Sequence, residues 1–208
     1  AEKIGAVNTL VRISEGFAGY NTDMPGLYRA MSSEGIEIQG QDVILLGAGG
    51  AARAVAFLCA SKGVNKVYLL NRSLEKALIV AEEVNRKAGR ECIYPMALAE
   101  YKYLPEKSFL AIQATSVGLY PEIERAVIEE QDFYSRIHTG YDLIYKPADT
   151  KFMQLVRKQG GRAFHGLKML LYQGVIAYEL WNHVSVSEET ALQVYEVLKE
   201  KMGIKESS

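Results

Sequence analysis

The residues whose types and spacing point most directly to chemistry are Gly47-Ala48-Gly49-Gly50-Ala51-Ala52, which fit the pattern G-x-G-x-x-G/A. The apolar run Val43-Ile44-Leu45-Leu46 stands directly before them, and an alanine-rich stretch with apolar residues at helical spacing follows. That strand-to-helix context separates the pattern from an ordinary glycine-rich turn. In it, Gly47 permits the tight turn, Gly49 lets the backbone approach a pyrophosphate, and Ala52 keeps the helix close to the sheet. The pyrophosphate then rests on the unpaired N–H groups and the positive end of the helix. The expected ligand is a dinucleotide.

The next strand selects between cofactors. An NAD site ends this strand in Asp or Glu, which binds the ribose 2′-hydroxyl. Here the strand ends Leu70-Asn71-Arg72-Ser73, with Lys76 one helical turn beyond. A carboxylate would repel a 2′-phosphate, whereas Arg72 can pair with one and stack its guanidinium on adenine. Asn71 and Ser73 add neutral hydrogen bonds. The expected cofactor is therefore NADP.

These groups need a scaffold, and the surrounding sequence predicts one. Strands are expected at residues 42–46, 66–70, 91–95, 109–114, 141–145 and 162–164. Helices are expected at 49–62, from the N-cap Ser73 to 87, and at 150–159. Strands alternating with helices predict an α/β fold, a Rossmann-type doubly wound parallel sheet. Thr115 and Ser116 then fall at the end of the fourth strand, where such a sheet opens its ligand crevice. The ends of the chain read differently. Residues 11–14 and 17–20 predict a hairpin turning at Glu15-Gly16. Asp23 is placed to cap a helix at 24–33. Long helices are expected at 167–181 and, after the N-cap Ser187, at 188–202, with a frayed tail at 205–208.

Composition sets bounds. The 208 residues carry a net charge of −1, with 49% hydrophobic and 24% charged residues. That is the balance of an ordinary soluble domain, with no electrostatic reason to bind nucleic acid or an anionic membrane. No apolar run approaches the roughly 18 residues of a membrane span, and residues 1–4 lack the features of a signal peptide. Cys59 and Cys92 read as small core residues in a reducing cytoplasm. His138, His165 and His183 show no metal-ligand spacing, so no metal is expected. Taken alone, Asn8 is a turn residue and Tyr145 a packing residue. Gln173, in the middle of an apolar helix, asks for a polar partner.

Six segments together resemble shikimate dehydrogenase. They are Ile4-Gly5-Ala6-Val7-Asn8-Thr9, Gly19-Tyr20-Asn21-Thr22-Asp23, the glycine loop, Asn71-Arg72-Ser73, Ala114-Thr115-Ser116-Val117-Gly118, and Tyr141-Asp142-Leu143-Ile144-Tyr145-Lys146-Pro147. A seventh, Gly166-Leu167-Lys168-Met169-Leu170-Leu171-Tyr172-Gln173, is similar, with Lys168 where the family often has glycine. The resemblance implies NADP-dependent interconversion of 3-dehydroshikimate and shikimate, in chorismate and aromatic amino acid biosynthesis. It implies that Asp23 is the catalytic aspartate, that Asn8 binds substrate, and that Tyr145 and Gln173 line the pocket. It also implies that residues 1–22 are a remnant of a substrate domain, 23–165 the nucleotide domain, and 166–208 helices that return to the substrate domain.

The family's catalytic lysine lies upstream of the Ile4-Gly5-Ala6-Val7 segment. The chain therefore reads as a truncated form that binds NADP, lacks most activity, and self-associates through exposed C-terminal helices such as Val175-Ile176-Ala177-Tyr178-Glu179-Leu180-Trp181. A quinate-accepting or NAD-preferring dehydrogenase and a non-catalytic nucleotide-binding module remain as alternatives.

Overall fold

The computed structural model describes residues 6–204. The readings of residues 1–5 and 205–208 lie outside them. The chain divides into two compact units, one formed by the chain up to Ile36 and from Leu167 onward, the other by Glu37–Gly166.

The second unit holds a six-stranded sheet, β3 (Asp42–Leu46), β4 (Lys66–Asn71), β5 (Ile93–Ala97), β6 (Phe109–Gln113), β7 (Ile137–Asp142) and β8 (Arg162–Phe164), in the order β5-β4-β3-β6-β7-β8. Every neighbouring pair is parallel. Helices α2 (Gly50–Ser61), α3 (Leu74–Ala88), the single turn α4 (Gln131–Tyr134) and α5 (Lys151–Lys158) join the strands. All five residues of β3 and of β6 are buried. This is why those strands are continuous apolar runs rather than alternating ones. The apolar core collects Ile44, Leu46, Phe109, Phe133, Tyr134 and Phe152. Cys59 and Cys92 are both free and buried, and burial pushes the Cys59 thiol up to about 12, the behaviour of inert core thiols.

Two strands depart from the sequence reading. The strand expected at 91–95 runs Ile93–Ala97 and lies at the sheet edge, where Pro95 costs no ladder bond. The strand expected at 141–145 runs Ile137–Asp142, so Tyr145 lies in the loop beyond it. Gly140 hid this strand from a propensity argument. A Cβ there would stand 2.8 Å from Val156 Cγ2 and 3.0 Å from a Phe152 ring carbon, so α5 packs where only glycine fits.

The first unit begins with an antiparallel hairpin of β1 (Thr9–Ile13) and β2 (Gly16–Tyr20), turned by Gly16 at φ 128°. Helices α1 (Asp23–Ser33), α6 (Leu167–Asn182) and α7 (Glu188–Met202) follow. Ser187 caps α7 by accepting from the Thr190 N–H. Helix α1 packs on α6, and both lie in this first compact unit. Gly26 makes that contact close: a Cβ there would lie 2.9 Å from Gln173 Cγ and 3.0 Å from Gln173 N. Arg29 reaches Glu179 at 3.3 Å and Glu188 at 3.5 Å, with its guanidinium 4.8 Å above the Tyr172 ring. Lys168, the residue that departs from the resemblance, pairs with Glu34 at 2.5 Å and lies over Tyr195. It ties α6 to the end of α1 and to α7. Among the described residues, no helix is long and apolar enough to cross a membrane.

Candidate functional site

In the Glu37–Gly166 unit the strand order reverses direction at β3 and β6, which makes the crevice beyond their carboxyl ends the place for a ligand. The loop after β3 begins with Gly47 at φ 109°, a conformation that favours glycine. A Cβ on Gly47 would meet Thr115 Cγ2 at 2.8 Å and the Ala114 carbonyl oxygen at 3.0 Å. The loop is therefore pressed against the segment that follows β6. The Gly47 N–H donates to the Leu70 carbonyl at 2.8 Å, which ties the same loop to β4.

Gly49 and Gly50 differ from Gly47. A Cβ on either would meet nothing within 4 Å. Gly49 is the N-cap of α2 and no side chain caps that helix. Space therefore stands open over Gly49, Gly50 and Ala51, where helix N–H groups have no side-chain acceptor. A pyrophosphate fits such a place. Ala48 is half-buried and Ala52 wholly buried, as close packing of the helix on the sheet requires.

The end of β4 carries the groups expected at the adenosine end. Asn71 donates its side-chain amide to the Ser73 carbonyl at 2.9 Å and so closes the turn into α3. Ser73 is the N-cap of α3, but its hydroxyl makes no capping bond. Arg72 is exposed. Beyond β6, Thr115 accepts from the Val117 N–H through its hydroxyl at 3.1 Å, and Ser116 is exposed.

In the other unit, Asn8, Asp23 and Gln173 come together. Asp23 Oδ1 accepts from Asn8 Nδ2 at 3.0 Å and from Gln173 Nε2 at 2.9 Å. Asp23 Oδ2 accepts from Asn21 Nδ2 at 3.2 Å. Asn8 Oδ1 in turn accepts from the Thr22 N–H at 2.9 Å, which locks its amide orientation. Thr22, rather than Asp23, is the N-cap of α1, and Asp23 stands in the first turn, where a negative charge is favoured. Gln173 thus has the polar partner its apolar surroundings demanded. No Lys or Arg among the described residues pairs with Asp23.

Sequence reasoning missed Asn21, whose signal was its place two residues before Asp23 in an Asx-turn. It also missed the buried pair Gln113 and Asp142 at the ends of β6 and β7, which hydrogen-bond at 3.2 Å. Two polar residues closing apolar strands were the available sign. Among the described residues, no group of three or more His, Cys, Asp or Glu side chains is arranged to hold a metal ion.

Comparison with known proteins follows the same lines. Residues 30–120 match the family described as Shikimate / quinate 5-dehydrogenase. The chain is 38% identical over 206 residues to shikimate dehydrogenase (NADP(+)) of Moorella thermoacetica, covering 98% of this chain and 68% of that protein. It superposes with a TM-score of 0.85 and 32% identity on a chorismate mutase/shikimate 5-dehydrogenase fusion protein from Clostridium acetobutylicum, covering 98% of this chain and 70% of that one. Shikimate 5-dehydrogenase from Listeria monocytogenes, solved in complex with shikimate and NAD, gives a TM-score of 0.84 at 29% identity over 93% of this chain and 69% of that one. The chain spans about two thirds of the length of the curated relatives it matches. With this identity sustained over nearly the whole chain, and with the parallel sheet and glycine corner in place, the chain belongs to the shikimate dehydrogenase family.

Proposed function

We propose that this chain is the NADP-binding part of an oxidoreductase that interconverts 3-dehydroshikimate and shikimate, with residues 37–166 as its nucleotide domain. The observation that carries the reading is the open space over Gly49 at the uncapped start of α2. Arg72, with Asn71 and Ser73 beside it and no carboxylate ending β4, supports NADP over NAD. The NADP(+) in the name of the Moorella relative supports it too, while the Listeria neighbour was solved with NAD. NADPH supplies the hydride when bound. Gly47, Ala48, Gly49, Gly50 and Ala51 receive the pyrophosphate, and Thr115 and Ser116 line the crevice on the nicotinamide side.

Asp23 is the proposed catalytic carboxylate. Amide donors from Asn8, Asn21 and Gln173 fix its two oxygens in direction. Asn8 and Gln173 are the proposed substrate-binding groups of this unit, and Tyr145 is the one proposed in the Glu37–Gly166 unit. A ketone reduction also needs a proton donor or cation at the carbonyl oxygen, and Asp23 has no cationic partner among the described residues. General acid–base assistance is worth about 10²–10⁴-fold, so this chain binds NADPH and turns over shikimate slowly. Calorimetric titration with NADPH and an assay of shikimate oxidation with NADP test the two halves. Saturating NADPH without heat of binding defeats the cofactor assignment, and turnover at ordinary dehydrogenase rates defeats the second. Quinate in place of shikimate in the same assay tests the alternative substrate.

The exposed aromatic residues of α6, Tyr178 at 53% and Trp181 at 56%, support self-association of this chain. Sedimentation velocity over a concentration series reads it directly, and a single monomeric boundary throughout argues against it. The buried thiols Cys59 and Cys92 fit a cytoplasmic location.

A further inference from the structure

The last residues of β6 and β7, Gln113 and Asp142, are register partners, and both are buried, at 1% and 0% exposure. Asp142 Oδ1 accepts from Gln113 Nε2 at 3.2 Å and from the Ile144 N–H at 2.9 Å. Asp142 Oδ2 accepts from the Thr150 hydroxyl at 2.6 Å. Thr150 in turn caps α5 by accepting from the Met153 N–H. Both oxygens of this buried carboxylate thereby have donors, and the loop after β7 is folded around it.

Gln113 passes the arrangement on. Its Nε2 also donates to the Val117 carbonyl at 3.1 Å, and its Oε1 accepts from the Thr115 N–H at 2.5 Å. A side-chain amide has two ends that differ only in donor and acceptor character. Asp142 decides which end is which, because a flipped amide would set its carbonyl oxygen against the carboxylate and withdraw the acceptor from Thr115. The backbone of residues 115–117 is thus held from one buried carboxylate through one side chain. Gly47 is pressed against the entry to that loop, the Thr115 side chain and the Ala114 carbonyl, at distances no Cβ would allow. Gly118 completes the contact, with its Cβ position 3.4 Å from Ile144 Cδ1 and 3.8 Å from Thr150 Cβ.

We propose that Asp142 is a positioning residue for the dinucleotide crevice, which through Gln113 sets the loop at residues 115–117 and with it the nicotinamide side of the site. This rests on the cofactor reading above. A dinucleotide lies across the switch point, its adenosine half on the β4 side and its other half on the side of β6 and β7. Loss of the Asp142–Gln113 link therefore weakens binding of the whole cofactor and spares binding of its adenosine end.

Isothermal titration of the 208-residue chain with NADPH and, separately, with adenosine 2′,5′-bisphosphate tests this. Asp142→Leu removes the acceptor, and its expected effect is a loss of about tenfold or more in NADPH affinity, the worth of one or two buried hydrogen bonds. Adenosine 2′,5′-bisphosphate is expected to bind as it does to the native chain. Asp142→Asn keeps an acceptor for Gln113 and Ile144 and is expected to restore most of the NADPH affinity. Gln113→Met cuts the same link one residue further on, and carries the test if Asp142→Leu does not fold. Equal NADPH binding by native and severed chains overturns the positioning role. Parallel loss of both ligands also overturns it, since that marks general disruption. A native chain that binds neither ligand overturns the cofactor reading itself, and is recognised before any variant is compared.

Discussion

Gln173 donates its side-chain amide to the Asp23 carboxylate at 2.9 Å although 150 residues of chain separate them. The contact exists because α6 lies against α1 at Gly26, whose missing Cβ leaves room for the Gln173 backbone. A polar residue in an apolar helix is thus matched to a carboxylate in the first turn of another, and neither is left buried without a partner.

Gly26 separates two opposed effects. Glycine to alanine inside a helix ordinarily stabilises by about 0.5–1 kcal/mol. Here the new methyl group would meet Gln173 Cγ at 2.9 Å, Gln173 N at 3.0 Å and Met169 O at 3.3 Å. Overpacking against backbone costs about 1–3 kcal/mol, so the clash wins. Gly26→Ala is expected to lower the urea midpoint. An unchanged or raised midpoint would mean that α6 moves aside at little cost.

The two glycines of the corner are expected to behave in opposite ways. Gly47→Ala forces φ 109° on an L-residue and drives its Cβ onto Thr115 and Ala114, a loss of about 2–4 kcal/mol in chemical unfolding. Gly49 has φ −85° and open space at its Cβ, so Gly49→Ala leaves the unfolding midpoint in place. Its methyl group instead occupies the ground proposed for the pyrophosphate, and calorimetry should show NADPH binding weakened by about tenfold or more. Unimpaired NADPH binding by Gly49→Ala would move the cofactor elsewhere.

Arg72 is exposed, so removing it costs the fold little. Arg72→Ala is expected to weaken NADPH about 10- to 100-fold, the worth of a charge-assisted hydrogen bond, and to leave NADH affinity unchanged. Fluorescence titration with both coenzymes gives the ratio. A parallel fall for both would refer Arg72 to the adenine alone.

Burial raises the Asp142 carboxyl from 3.8 to about 6, against the opposing pull of its bonds from Thr150, Ile144 and Gln113. Tyr134 is the titratable neighbour, and burial lifts its hydroxyl well above its ordinary range, so it stays neutral in this window. A carboxyl raised on folding binds its proton more tightly in the native chain than in the unfolded one. The native chain therefore loses stability as pH rises from about 4 to about 6, and the full penalty stands above pH 6. Its size is about 3 kcal/mol. Asp142→Asn removes this slope, so its stability relative to the native chain should improve between pH 4 and pH 7. Urea unfolding at both pH values reads the difference, and a constant difference would place the Asp142 carboxyl in its ordinary range.

The sequence by itself determined what is local. The spacing of Gly47, Gly49 and Ala52 between an apolar run and an alanine-rich one is enough to make a strand–turn–helix corner. The absence of a carboxylate after Leu70 is equally plain in the string. The cap Ser187 is likewise a property of a few neighbouring residues, governed by backbone sterics and nearest hydrogen bonds. Tertiary structure decided the rest. Only the packing of α5 shows that Gly140 belongs inside a strand and that Tyr145 lies outside it. Only the return of α6 assigns α1 to the hairpin and the C-terminal helices, and brings Gln173, Asn8 and Asn21 onto Asp23. The partnership of Gln113 with Asp142 arises from strand order. The physical reason is the same throughout: a buried polar group must find a partner, but which partner depends on segments far apart in the chain, and no local propensity records that choice.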